Sequence, residues 1–320
     1  DKTGTLTENQ MTVQEIVAGG LAYTVGGTGY NPMQGRIEGQ EAASGSTSAA
    51  LLECLRAGIL CNDSQLVEED GIWQVHGDPT EGALLTSARK GGLGPETQGA
   101  SPRLDTVPFE SEHQYMATLH ETGHDAPRLV YLKGAVEALL ARCESQLDGL
   151  GNAVPLRVDE IQGAVETMAA KGLRVLAMAS KEVASETASI RHGDLSTGLV
   201  FLGLQGMIDP PRPEVVAAVA TCQAAGIRVK MITGDHPVTA AAIARQVGLY
   251  SQGAVQIAGQ GGLVLTGPEL EKLSDSELIA RAEDTAVFAR VSPEQKLRLV
   301  EALQARGQVV AMTGDGVNDA

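Results

Sequence analysis

The residues best suited to chemistry stand at the two ends of the chain. Asp1-Lys2-Thr3-Gly4-Thr5-Leu6-Thr7 and Thr313-Gly314-Asp315-Gly316-Val317-Asn318-Asp319 are both acidic, glycine-bearing turns. The second follows Val309-Val310-Ala311-Met312, an apolar run that predicts a buried strand over 308–312. Open α/β sheets place ligand-binding groups in such turns, at the C-terminal ends of parallel strands. Side by side, the two turns would set three carboxylates, Asp1, Asp315 and Asp319, around one small volume. Like charges that close coexist only with a divalent cation, a cationic side chain or a proton. That cluster is the candidate active site.

Asp1 has the setting of a carboxylate nucleophile. Hydrolases of this architecture commonly carry a second aspartate two residues on, as general acid/base, and here that position is Thr3. Attack by Asp1 on a phosphoryl centre needs little proton movement. Hydrolysis of the resulting acyl phosphate would lack a base to activate water. The substitution predicts a long-lived aspartyl phosphate.

Two further segments belong to the same edge. Thr233-Gly234-Asp235-His236-Pro237 reads first as a helix start, with Asp235 as N-cap and Pro237 in the first turn. It is equally an anion site, offering a hydroxyl and a backbone N–H to a phosphate. Lys296 falls in the first turns of a helix that follows a strand over 286–289. By spacing alone it is as well read as a solvated charge as the cation that neutralises a phosphoryl oxygen.

These residues need a parallel sheet to hold them. From Asp209-Pro210-Pro211-Arg212 onward, helices over 213–225, 237–247, 276–282 and 293–306 alternate with strands over 227–232, 286–289 and 308–312. Such alternation predicts a doubly wound α/β sheet. Val229 to Asp235 echoes Val310 to Asp315, each a strand followed by Thr-Gly-Asp. The region before Asp209 mixes hairpin-like strands and an apolar strand over 199–207 with helices over 48–61, 78–90 (Asp78 as N-cap, Pro79 at the first position), 135–142 and 159–170, and two long loops over 26–48 and 91–101. It reads as an α+β insert. The expected domains are 1–9 with 209–320, discontinuous, and 10–208. The chain opens on a reactive-looking residue and stops inside a motif, so it reads as a piece of a longer protein that turns over poorly alone.

Composition narrows the function. Lys and Arg number 24 against 40 Asp and Glu, a net charge of −16. That balance opposes nucleic-acid binding, which rests on phosphate neutralisation. No run reaches the roughly 18–20 uncharged apolar residues that cross a bilayer, and no signal peptide is evident. The four cysteines form no C-x-x-C pair and read as buried free thiols. The histidines show no metal-ligand spacing. No P-loop and no protein-kinase signature set occurs.

In this order, Asp1–Thr7 (DKTGTLT), Lys133-Gly134-Ala135 (KGA), Asp209–Arg212 (DPPR), Thr233–Asp235 (TGD) and Thr313–Asp319 (TGDGVND) resemble the P-type cation-transporting ATPases. The resemblance covers the whole chain. It implies a phosphorylation domain of haloacid-dehalogenase-like type, interrupted by a nucleotide-binding domain, on the cytoplasmic face of a membrane. Asp1 would be phosphorylated by ATP, with Mg²⁺ held by Asp1, the Thr3 carbonyl and Asp315. Thr233, Gly234 and Lys296 would hold the transferred phosphoryl, with Asn318 and Asp319 completing the pocket. Asp235 and Arg290 match ATP-contacting positions. In the insert, Phe109 looks like the adenine-stacking aromatic, Glu81, Lys133 and Gly134 like adenine-pocket residues, and Arg174 like the arginine that reaches the β-phosphate. Without the resemblance, Phe109 reads as strand core, Glu81 as a first-turn dipole partner and Arg174 as a surface charge.

The segment after Phe109, Glu110-Ser111-Glu112-His113-Gln114, lacks both the basic residues of the family's calcium pumps and the His-Pro pair of its heavy-metal pumps. The resemblance is therefore to the alkali or alkaline-earth subgroup. The implied partners are ATP, the transported cation, and membrane and actuator domains of the same protein. A stand-alone phosphatase of the same fold and a nucleotide-binding regulatory module are the alternatives.

Overall fold

The computed structural model describes residues 2–39, 48–123, 125–250 and 263–314. These fall into two compact units. One comprises Gln10–Met168 and Leu173–Ile208; the other comprises the chain up to Asn9, Ala169–Gly172 and the chain from Asp209 onward.

The first of these units is built on an antiparallel sheet. Its strands are β1 (Thr12–Ala18), β2 (Leu21–Val25), β3 (Ile37–Gly39), β4 (Gln65–Glu69), β5 (Ile72–His76), β6 (Arg103–Glu110), β7 (Tyr115–His120), β8 (Arg128–Gly134), β9 (Cys143–Leu147), β10 (Ala153–Pro155), β11 (Arg174–Val183) and β12 (Leu199–Ile208). The main sheet runs β3-β2-β1-β12-β11-β8-β7-β6, and β9, paired with β10, joins β12 in parallel. β12 is a nearly unbroken apolar run, buried along its length between β1 and β11. Continuous apolar sequence suits a strand covered on both faces.

The covering comes from α1 (Ala49–Leu60) and α2 (Pro79–Lys90); α3 (Pro95–Ala100), α4 (Val136–Leu140) and α5 (Val158–Ala170) complete the set. Both major helices start on local signals. The Ser48 hydroxyl accepts from the Leu51 N–H, and the Asp78 carboxylate accepts from Thr80 and Glu81, with Pro79 in the first turn. Such caps contribute about 1 kcal/mol each. Leu51, Leu55 and Ile59 of α1 and Leu84 and Ala88 of α2 share one core with Val13, Ile16, Met178 and Leu202 of the sheet. Gln205 is fully buried there, donating to the Cys54 carbonyl while its own carbonyl accepts from Ser87.

The loops expected over 26–48 and 91–101 hold β3 and α3 respectively. The hairpin β4–β5 was not expected from the sequence. Its two-residue turn is Asp70-Gly71, both at positive φ, the signature of a type I′ turn.

The second unit alternates helices and short strands: α6 (Pro213–Ala224), β13 (Met231–Thr233), α7 (Pro237–Gln246), β14 (Val264–Thr266), α8 (Gly267–Glu271), α9 (Asp275–Ala282), β15 (Val287–Ala289) and α10 (Pro293–Ala305). β13, β15 and β14 form a parallel sheet in that order. Leu265, Leu270, Leu278, Phe288 and Leu299 fill the core beside it. β14 and α8 lie where the sequence predicted no element. The strand predicted over 308–312 is not formed. Val309 is fully exposed and Met312 partly so, and no strand pairs with this run among the described residues. Apolar content makes a strand only where a sheet edge is there to receive it.

Candidate functional site

The opening turn is fastened to the second unit by polar contacts. The Lys2 carbonyl accepts from Leu6 and Thr7, and Thr7 forms an antiparallel bridge with Pro211. Arg212 donates to the carbonyls of Gly4 and Thr7, while its own N–H reaches Leu6. The Thr7 hydroxyl donates to Asp209 at 2.5 Å. The Asp-Pro-Pro-Arg segment thus clamps the turn through both its acid and its base.

Lys2 is the residue that sequence reasoning missed. It is 3 % exposed, and its ammonium lies 2.6 Å from Asp235 and 3.8 Å from Asp209. A buried ammonium must be paired, so this ion pair ties the turn that follows Asp1 to the Thr-Gly-Asp turn. The signal in the sequence was a lysine beside a candidate nucleophile with aspartates in two other motifs.

Thr233 ends β13 and is 2 % exposed. Its hydroxyl accepts from the Asp235 N–H at 3.1 Å, which leaves the hydroxyl proton to donate. A Cβ built at Gly234 would meet nothing within 4 Å. Asp235 is not the N-cap expected from the sequence. His236 takes that place, its Nδ1 accepting from Val238, and Asp235 is turned to Lys2 instead. Arg290 follows β15 at φ 54° and donates its backbone N–H to the Asp235 carbonyl. Its carbonyl leaves Gly267 no room for a Cβ. Lys296, in the first turns of α10, is 6 % exposed, so the solvated-charge reading fails. Asp1, Asp315, Asn318 and Asp319 lie outside the described residues.

The residues expected in the insert's pocket are differently placed. Phe109 is 61 % exposed on β6, which rules out strand core. Glu81 and Lys133 form a mostly buried ion pair at 2.5 Å. Lys133 also donates to the Cys61 carbonyl at 2.6 Å. The second Glu81 oxygen accepts from the Asp63 N–H and the Ser64 hydroxyl. Glu81 therefore does more than meet the α2 dipole: it bridges α1's end, α2 and β8. Gly134 is required by close approach, since a Cβ there would fall 2.4 Å from the Gln114 carbonyl oxygen. Arg174 is exposed, and its guanidinium reaches the Thr80 hydroxyl at 3.4 Å.

Two cavities of about 400 Å³ lie elsewhere. One, lined by Lys230, Leu263 and Ala286, sits at the N-terminal ends of the parallel strands, opposite the edge where such sheets bind ligands. Burial pushes the Lys230 ammonium down to about 8, yet it is engaged by the Glu283 and Thr285 carbonyls. The other lies beside Asn62, Ser64 and Arg103 and does not include Phe109.

Comparison with known proteins now gives this arrangement a family. Residues 50–214 match the family described as P-type ATPase, cytoplasmic domain N. A Synechocystis protein named cation-transporting ATPase pma1 is 54 % identical over 326 residues, spanning all of this chain and 35 % of the relative. A probable cation-transporting ATPase F of Mycobacterium tuberculosis is 48 % identical over 322 residues, again all of the chain and 35 % of the relative. A calcium-transporting ATPase of Bacillus subtilis is 41 % identical over 325 residues, with the same shares. The chain belongs to the P-type cation-transporting ATPases. It spans about a third of the length of the curated relatives it matches. No described helix is long and apolar enough to cross a membrane.

Proposed function

We propose that this chain is the catalytic, ATP-using portion of a cation pump, and that ATP phosphorylates Asp1. The observation that carries the reading is the buried Lys2–Asp235 ion pair, which joins the Asp1-bearing turn to Thr233-Gly234. The domains proposed are residues 1–9 with 209–320, of haloacid-dehalogenase-like type, and 10–208, which binds the nucleotide. The three parallel strands with intervening helices are compatible with a doubly wound sheet.

In this reading Phe109 stacks on the adenine, and Glu81, Lys133 and Gly134 line its pocket. Arg174 reaches the β-phosphate, and Asp235 and Arg290 are the other proposed nucleotide contacts. A carboxylate oxygen of Asp1 attacks the γ-phosphorus, the bond to the β–γ bridging oxygen breaks, and ADP leaves with that oxygen's charge. Thr233, Gly234 and Lys296 hold the phosphoryl oxygens through a hydroxyl, a backbone N–H and an ammonium, with Asn318 and Asp319 completing the pocket. Stabilising charge that develops in this way is the main source of rate in phosphoryl transfer. With Thr3 in place of a second carboxylate, no base stands ready to activate water, so the aspartyl phosphate persists.

The donors proposed for Mg²⁺ are Asp1, the Thr3 carbonyl and Asp315. All are hard oxygens, as that ion prefers. Among the described residues the Lys2 and Gly4 carbonyls accept hydrogen bonds, whereas nothing donates to the Thr3 carbonyl. The set fits. Bound there, Mg²⁺ would neutralise charge on the transferring phosphoryl group.

The transported cation would bind in membrane segments of the whole protein, and the actuator domain would supply dephosphorylation. The calcium-transporting relative favours an alkaline-earth or alkali cation over a heavy metal. Incubation with γ-labelled ATP and Mg²⁺ followed by acid quench tests the reading. Acid-stable, hydroxylamine-labile label that disappears in Asp1→Asn is expected. Steady phosphate release without label would point to a phosphatase, and neither signal to a binding module.

A further inference from the structure

The histidines left aside in the sequence include two that the fold brings together. His113 lies in the turn between β6 and β7, and His192 begins a 3-10 turn ahead of β12. Their rings stack with centroids 3.8 Å apart and planes tilted by 34°. The Nε2 of each stands 3.6 Å from the same carboxylate oxygen of Glu110. One ligand atom from each residue lies within 4.8 Å of the others.

We propose that Glu110, His113 and His192 form a binding site for a divalent transition-metal ion of the zinc class. Ligand nitrogens and oxygens about 2.0–2.1 Å from a tetrahedral ion stand about 3.3 Å apart. The two nitrogen–oxygen separations of 3.6 Å are close to that spacing, and the third lies within 4.8 Å, so small side-chain rotations would bring all three onto one ion. Two imidazoles and a carboxylate select borderline ions such as Zn²⁺ over Mg²⁺ or Ca²⁺, which require oxygen ligands. Three protein ligands leave a fourth coordination position open to water.

The surrounding structure holds the ligands in place independently of any ion. The Glu110 carbonyl accepts from both His113 and Gln114, and Gln114 adopts φ 60° to close the turn. The segment before His192 is pinned where the Ile190 N–H donates to Asp105 of β6. His192 Nδ1 lies 2.7 Å from the Tyr115 hydroxyl. A ligating histidine usually donates its second ring N–H to such a partner, which fixes the tautomer that frees Nε2. Tyr115 is itself buried, under the Arg142 guanidinium, so its hydroxyl is held in place to accept that bond. An ion here would cross-link the β6–β7 turn to the 3-10 turn, two segments far apart in the chain.

The test is Zn²⁺ titration of the whole chain by competition with a chromophoric chelator, with Co²⁺ as a spectroscopic probe. One equivalent should bind in the presence of excess Mg²⁺. His113→Gln and His192→Gln, both partly exposed positions, should each weaken it by about tenfold or more, and Tyr115→Phe, which keeps the ring, by about 10–100-fold. The Co²⁺ form should show tetrahedral d–d bands without thiolate charge transfer. Equal Zn²⁺ affinity in wild type and His192→Gln, thiolate bands that place the ion on cysteine, or no saturable binding would each overturn the proposal.

Discussion

Removing Glu81 should destabilise the protein more than removing the charge of Lys133, although the two form one pair. Their side chains are 14 % and 10 % exposed, so water can replace little of what is lost. Glu81→Gln leaves the Lys133 ammonium buried with neutral oxygens only, the Cys61 carbonyl among them. An uncompensated buried charge costs about 3–5 kcal/mol, and the residual exposure places this one near 3. Lys133→Met removes the cation and leaves the Glu81 carboxylate with the Asp63 N–H, the Ser64 hydroxyl and the α2 N-terminus. That should cost about 1–2 kcal/mol. The double variant should fall short of the sum by more than about 1 kcal/mol, because neither lone charge remains. Trp73, the single tryptophan, lies on β5 under the Arg89 guanidinium, so its fluorescence in a urea titration follows the unit that contains the pair. If Lys133→Met proves the costlier single change, or the two effects simply add, the electrostatic account of this pair is wrong.

Four more expectations follow from particular contacts. Phe109→Ala should leave the Trp73 transition within about 0.5 kcal/mol, the ring being exposed, yet weaken ATP binding by about 1–3 kcal/mol of lost stacking; unchanged affinity by NMR titration would place the nucleotide elsewhere. Arg212→Ala removes the contacts to Gly4 and Thr7 and should lower the stability of its own unit by about 1–3 kcal/mol, seen by circular dichroism while Trp73 is unaffected; a shift in both signals would contradict it. Gly134→Ala should cost about 1–3 kcal/mol by overpacking against Gln114 and Tyr115, and a neutral result would mean the strands can part there. His120 is buried, its Nδ1–H donating to the Ser101 carbonyl and its Nε2 accepting from Thr118. Burial lowers its affinity for a proton from the ordinary value of 6.5. Below that pH the unfolded chain binds a proton that the folded one refuses, so stability is kept above about pH 6.5 and falls beneath it by up to about 1.4 kcal/mol per pH unit. His120→Gln should flatten that slope in denaturation midpoints measured between pH 7.5 and 5.5, and an unchanged slope would acquit this residue.

What could be read from the sequence was whatever depends on neighbours in the chain. α2 was readable to its first residue because Asp78 and Pro79 act on backbone groups within one turn. β12 was readable because a strand buried on both faces must be apolar throughout. The motifs themselves, and with them the family, were visible because their spacing along the chain is local information. Asp70-Gly71 was equally local, and the hairpin it makes went unread. Other features required the tertiary structure, because they depend on what lies across space. Whether 308–312 pairs is decided by a sheet edge, which hydropathy cannot see. Phe109 and Lys296 look alike in sequence whether buried or exposed, and the fold exposes the aromatic and buries the cation. Asp235 could cap a helix or meet an ammonium, and the burial of Lys2 settles which. The Glu110–His113–His192 cluster has no spacing to betray it, since only the packing of the 3-10 turn beside the β6–β7 turn brings His192 to the other two.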